Sequence, residues 1–201
     1  GGLTTRTLGV MVMTHADDKG LVLPPRIAPV QVVIVTIPNK TVPIDEMDAY
    51  AKSIEKALKL HDIRCKADLR DNYKPGWKYN HWELKGVPIR LEIGKNEVKD
   101  KTVEMAFRYS GKKESTSVEG IVETIQAKLE EVQATMLEGA TAIRNSKLAV
   151  IYEWKDFVPA LNQKCLCLTP FCDEEEEEEK VCVTFFLKSC FDSFVTIIVC
   201  F

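Results

Sequence analysis

Residues 30–37, VQVVIVTI, are an almost unbroken run of β-branched apolar side chains, the pattern of a strand covered on both faces. From 44 to 60 the apolar positions change to helical spacing, with Met47, Tyr50, Ile54, Ala57 and Leu58 on one stripe. Residues 63–69, 87–93 and 102–108 read as three more strands; apolar and charged side chains alternate along 88–93 and 102–108. Between the second and third strands, Pro75-Gly76 predicts a turn, followed by a short helix over 77–85. That helix interleaves Lys78, His81 and Lys85 with Trp77, Tyr79 and Trp82, and Gly86 stands where a helix end takes positive φ. Both Trp77 and Trp82 are expected to pack inward, as a Trp on a helix facing a sheet usually does. Residues 110–113 read as a hairpin-like turn. Thr116 with Glu119 has the spacing of a capping box, leading into a helix with Ile121, Ile125, Leu129, Val132 and Met136 on its core face.

This alternation of strands and helices predicts an α/β fold: a mostly parallel or mixed sheet flanked by helices, with right-handed crossovers. Ahead of it, Thr4 or Thr5 can cap a helix with Leu8, Met11, Val12 and His15 on one face, broken by residues 16–20. After it, a strand over 147–152, a short helix over 154–161 and a strand over 166–171 predict a small α+β unit. The expected organisation is therefore 1–29, 30–140, 141–180 and an atypical apolar tail over 181–201. No internal repeat is visible.

Composition changes this picture little: at 45% hydrophobic and 28% charged, the 201 residues suit an ordinary globular protein. Charge changes it more. The net charge is −3, but Asp173 with Glu174–Glu179 supplies seven negative charges, so the remainder is net positive. Between His61 and Lys112 twelve Lys and Arg face eight Asp and Glu, a balance that permits contact with nucleic acid. Six of the seven cysteines follow Lys164, and no secretory signal opens the chain, so free thiols in a reducing compartment are expected. The first residue is not Met, which suggests a piece of a longer protein.

The stretch D-x-R-D-x-Y-x-P-G-W-K-x-x-x-W-E-L-K-G-V-P-x-R-L-E-I-G, residues 68–94, resembles the anticodon-binding domain of class II proline–tRNA ligases of the archaeal and eukaryotic cytoplasmic type. G-L-T-T-R-T at the start resembles motif 3 of the same enzymes, and D-D-x-G-L-V-L-P-P-R continues the match; Gly1 stands where the family has Trp. The resemblance implies ATP-dependent activation of proline, with Mg²⁺, and its transfer to tRNA(Pro) by a cytoplasmic enzyme, the intact protein being a homodimer. Arg6 would hold ATP phosphates, a task suited to a permanent, bidentate cation. Glu83 and Arg90 would meet the edges of two adjacent anticodon guanines, since a carboxylate accepts from N1–H and N2–H₂ while Arg donates to O6 and N7. Glu97 and Lys112 would add contacts; Asn96 replaces a family Lys.

Two other readings of these residues compete: Glu83 and Arg90 as a plain surface ion pair, and the whole chain as a non-catalytic tRNA-binding accessory module. Zinc is not expected. Cys172 fits the first ligand of a Cys-x₄-Cys pair found in some family members, but Glu177 stands at the second. Residues 181–201 approach a membrane-spanning length, but Lys188 and Asp192 interrupt them, so no membrane partner is expected.

Overall fold

The computed structural model describes residues 4–38, 42–169 and 199–200. Two compact units divide between Ala140 and Thr141.

The first unit is built on a five-stranded mixed sheet. Its strands are β1 (Val32–Thr36), β2 (Cys65–Asp68), β3 (Ile89–Ile93), β4 (Thr102–Phe107) and β5 (Lys113–Ser117), in the order β2-β1-β3-β4-β5. β1 runs parallel to β2 and β3, whereas β4 and β5 are antiparallel additions on the far side. All five residues of β1 are buried, as its β-branched run requires.

Strand alternation sorts the side chains into two faces. Val32, Ile34, Ile89, Leu91, Ile93, Val103, Met105 and Phe107 share one core. Over it lie α2 (Ile44–Leu60), through Ala51, Ile54 and Leu58, and α5 (Ile121–Ser146), through Ile121, Ile125, Leu129, Val132 and Met136. On the other face Val33 and Val35 meet Trp82 and Val87, beneath and beside α3 (Pro75–Leu84). The register sets Arg90 beside Val33 and Glu92 beside Val35, so those two charged residues share the α3 face.

Two elements depart from expectation. A six-residue helix, α4 (Lys95–Asp100), fills the turn between β3 and β4. Thr116 does not cap a helix; it lies in β5 opposite Val103, and α5 starts only at Ile121, after Gly120 at φ 73°. Pairing with β4 satisfies the backbone of 113–117, which a capping box would have left unladdered.

Helix α1 (Thr5–His15) forms where expected, but Thr4, at its N-cap position, makes no side-chain capping bond, and the helix buries no residue. The segment after it lies along the end of α3: Leu21 N donates to Leu84 O and Leu23 N to Gly86 O, each at 3.2 Å. Gly86, at φ 72°, permits this passage, because a Cβ there would come within 2.8 Å of the Leu21 carbonyl. Arg64 fastens the next residues, donating to the carbonyls of Pro25, Arg26 and Ala28.

In the second unit β6 (Leu148–Val150) pairs in parallel with β7 (Leu166–Thr169), with α6 (Trp154–Asn162) between them in sequence. Ile151, Phe157 and Cys167 form its core. β8 (Val199–Cys200) adds to β7 in parallel.

Candidate nucleic-acid interface

The Pro75-Gly76 turn starts α3 with proline in its first turn, where the missing N–H costs nothing. Lys78 and Trp82, one turn apart, face the sheet and are buried. Tyr79 and Glu83 therefore fall on one flank of the helix, toward β3, and Trp77 and His81 on the opposite flank, toward the β2 edge.

On the β3 flank lies a chain of charges. Arg90 donates through Nη1 to Glu83 Oε1 at 2.9 Å, and through Nε and Nη2 to Glu92 Oε1 at 3.0 and 2.9 Å. Lys113 Nζ continues the chain, 2.8 Å from Glu92 Oε2 and 3.6 Å from Glu104 Oε2. The Arg90 guanidinium also lies over the Tyr79 ring, 4.2 Å from its centroid. Burial, with Glu92 nearby, pushes the Tyr79 hydroxyl up to about 12, so the ring stays neutral. Side-chain exposure falls from 33% at Glu83 to 12% at Arg90 and 4% at Glu92, so the solvent-facing end of the chain is Glu83 with the edge of Arg90.

That edge has unused capacity. Glu83 Oε2 has no partner among the described residues, and three of the five N–H groups of Arg90 are engaged by the bonds above. An open acceptor thus stands beside open donors. Sequence reasoning singled out Glu83 and Arg90 but not Glu92, two residues along the same face of β3, nor Glu104 and Lys113, which cross-strand register brings alongside. The ion pair weighed above as a rival reading is real, but it is held at one end by a buried carboxylate rather than lying loose on the surface.

The other candidates are spread out. Lys112 sits in the β4–β5 turn with an exposed side chain, one residue before the ion-paired Lys113. Glu97 Oε2 accepts from Gly94 N at 3.0 Å and so closes the first turn of α4; four residues of strand, about 13 Å, separate Gly94 from Arg90. Arg6 is exposed in the first turn of α1 with no partner among the described residues. Cys172 and Glu177 lie outside the described residues, among which no group of three or more His, Cys, Asp or Glu could hold a metal ion. Nor does any helix among them have the length and apolarity to cross a membrane.

At the rim, Arg108 joins Asp17 through two hydrogen bonds and donates through Nε to Glu83 O at 3.1 Å. The Arg108 guanidinium holds the Asp17 carboxyl well below the usual carboxylate range.

On the opposite flank, Asp68 is buried at the end of β2. Burial pushes its carboxyl up, but bonds from Arg70 Nε at 2.8 Å and Trp82 Nε1 at 2.7 Å overcome this and hold it at about 2. Lys78 Nζ donates to Asp68 O at 2.9 Å, and burial draws its ammonium down. Trp82 is thus in the core as expected. Trp77 is not: it is 43% exposed, with Tyr73 and His81 stacked against it.

Residues 31–128, the span that includes the sheet, α3 and the charged chain, match the anticodon-binding-domain family. The chain is 45% identical over 178 residues to "Proline--tRNA ligase, cytoplasmic" of Arabidopsis thaliana, a match covering 89% of this chain and 34% of that protein. It is 41% identical over 184 residues to the bifunctional glutamate/proline–tRNA ligase of Drosophila melanogaster, covering 90% of this chain and 11% of that one. Among solved structures, prolyl-tRNA synthetase of Cryptosporidium parvum, complexed with L-proline and AMP, superposes with a TM-score of 0.87 at 39% identity, over 92% of this chain and 40% of its own. The chain thus spans about a third or less of the curated relatives named here. Through its anticodon-binding domain, this chain belongs to the proline–tRNA ligase family.

Proposed function

We propose that these residues are the tRNA-recognising part of a proline–tRNA ligase and that the α3 face of the sheet reads guanines in the anticodon of tRNA(Pro). The observation that carries this is the Glu83–Arg90 edge, where an unpartnered carboxylate oxygen stands beside unengaged guanidinium N–H groups. Guanine offers N1–H and N2–H₂ donors to the first and O6 and N7 acceptors to the second. Glu92 and Lys113 fix the arginine, so less side-chain freedom is lost on binding. Similarity to whole ligases extends well past residues 31–128, which favours part of an enzyme over a free-standing binding module.

The activity proposed for the whole protein is ATP-dependent activation of proline followed by transfer to tRNA(Pro), in the cytoplasm, by a homodimer. Arg6, a permanent cation without a partner among the described residues, fits a phosphate contact, which is the one element of ATP and Mg²⁺ handling these residues offer. Glu97 and Lys112 are proposed as outer contacts to the anticodon loop, beyond the Glu83–Arg90 pair.

The test compares binding of the 201-residue chain to a tRNA(Pro) transcript and to one with its anticodon guanines replaced. Each lost base contact should cost about 1–3 kcal/mol. Glu83→Gln, which exchanges one carboxylate oxygen for a donor, should narrow the difference between the transcripts by about one such contact. Equal, salt-sensitive binding of both transcripts by the unaltered chain would reduce the interaction to phosphate attraction and refute the reading.

A further inference from the structure

Three rings stack along the flank of α3 that faces away from Glu83 and Arg90. Tyr73 lies on Trp77 with centroids 3.9 Å apart and planes 12° from parallel; Trp77 lies on His81 at 4.9 Å and 14°. Trp77 and His81, four apart, share one flank of α3, and Tyr73, in the turn just before the helix, lies against Trp77 on that flank. The Arg70 guanidinium lies beside the stack, 5.1 Å from the centroids of both Tyr73 and Trp77, and its bidentate bond to buried Asp68 keeps it there. Packing does not require this arrangement, since the core on this side is already closed by Trp82. Trp77, the middle ring, is 43% exposed and Tyr73, at one end of the stack, 37%.

The surroundings are cationic. Lys66 and Lys85 are exposed, with Nζ 5.8 and 5.2 Å from the Trp82 centroid, and exposed Lys74 stands at the head of the helix beside Tyr73, against Asp71. Burial, with Lys85 and Arg70 nearby, draws His81 below its ordinary value, which leaves its ring neutral near pH 7.

We propose that the Tyr73–Trp77–His81 stack is a second RNA contact, a platform on which unpaired bases of the same tRNA lie while Arg70 and the lysines hold the adjoining phosphates. Every base has a π face, so this contact is indifferent to base identity, in contrast with the guanine-reading edge across α3. An apolar partner surface would gain nothing from the ring of cations, whereas a base with its phosphate matches both halves of the site. The inference rests on this chain being a tRNA binder, but not on the roles of Glu83 and Arg90.

The test uses the intact chain with three variants: Trp77→Phe, Trp77→Ala and Arg90→Ala. RNA stacking on the end of this pile of rings should quench Trp77 emission, seen as quenching in the unaltered chain that Trp77→Phe lacks. Trp77→Phe, which keeps a ring in the stack, should bind a tRNA(Pro) transcript within about threefold of the unaltered chain, while Trp77→Ala should bind about tenfold more weakly. That loss should be equal for the transcript lacking its anticodon guanines. Thermal melting confirms that Trp77→Ala is folded; its side chain is exposed, so its midpoint should hold. In Arg90→Ala the guanine preference should vanish while Trp77 quenching persists. Unchanged affinity in a folded Trp77→Ala, or emission from Trp77 that ignores RNA, overturns the platform even where guanine preference is intact. Intact quenching without any guanine preference overturns the anticodon assignment and leaves the platform standing.

Discussion

The two faces of the sheet are made from the same strands and do opposite things. Leu91 and Glu92 are consecutive and both almost fully buried, yet Leu91 enters an apolar layer sealed by α2 and α5, while Glu92 anchors Arg90 and Lys113 on the α3 face. The sealed face holds the fold by non-directional burial, which tolerates small shifts. The α3 face holds a handful of directional bonds between charges, each of which would be costly to leave unpaired. A narrow helix, α3, covers only part of that face, so the charges end at solvent. In the proposed function, recognition lies where the sheet is incompletely covered, on side chains that directional bonds hold in place.

Substitutions can strain this division, and the largest effect belongs to the sealed face. Leu91→Ala should destabilise the chain by about 2–5 kcal/mol in denaturant unfolding while leaving discrimination between transcripts unchanged. If discrimination falls with stability, the two faces are not independent. Asp68 comes next. Its carboxyl is depressed from the ordinary value to about 2, so its stabilisation is present above about pH 4 and disappears as pH falls toward 2. Asp68→Asn should therefore cost about 2 kcal/mol at neutral pH, and the gap from the unaltered chain should narrow over that acid window in melts at graded pH. Glu92→Gln should cost less, about 1–2 kcal/mol, because Lys113 is partly solvated and Arg90 retains Glu83. Its effect on guanine discrimination should be disproportionate, since Arg90 loses its fixed end. Smallest is Arg26→Ala: the Arg26–Glu130 pair is mostly exposed, and its loss should shift stability by about 0–1 kcal/mol, within reach of a double-mutant cycle.

The sealed face was legible in the sequence and the open face only partly so. The β-branched run of β1, the stripe of α2 and the five core positions of α5 obey simple periods, and burial enforces them. β5, KESTS, has no apolar alternation because it is an edge strand, so nothing in its composition announces it. α4 is too short to show a period. Glu83 and Arg90 were identifiable from a long family pattern, but Lys113 joins Arg90 and Glu92 through the Ala106–Lys113 register, which no local spacing reveals. The inward placement expected for Trp77 failed for a related reason. Lys78 and Trp82 take the sheet-facing positions of α3, Trp82 bonding to Asp68 and Tyr79 packing beside it against the Val33–Val35 cluster, which leaves Trp77 on the outer flank.

Arg108 gives the fold a mechanical property. Its guanidinium grips Asp17, in the turn directly after the helix that carries Arg6, and reaches the backbone of Glu83 at the end of α3. A planar, forked group with little exposure behaves as a strut rather than a hinge, and the depressed Asp17 carboxyl stays ionised throughout the neutral and mildly acidic range. The last turn of α3 therefore cannot tilt without drawing on the chain that leads back to Arg6. A displacement at the Glu83 end would have to stretch these bonds or carry the Asp17 turn with it.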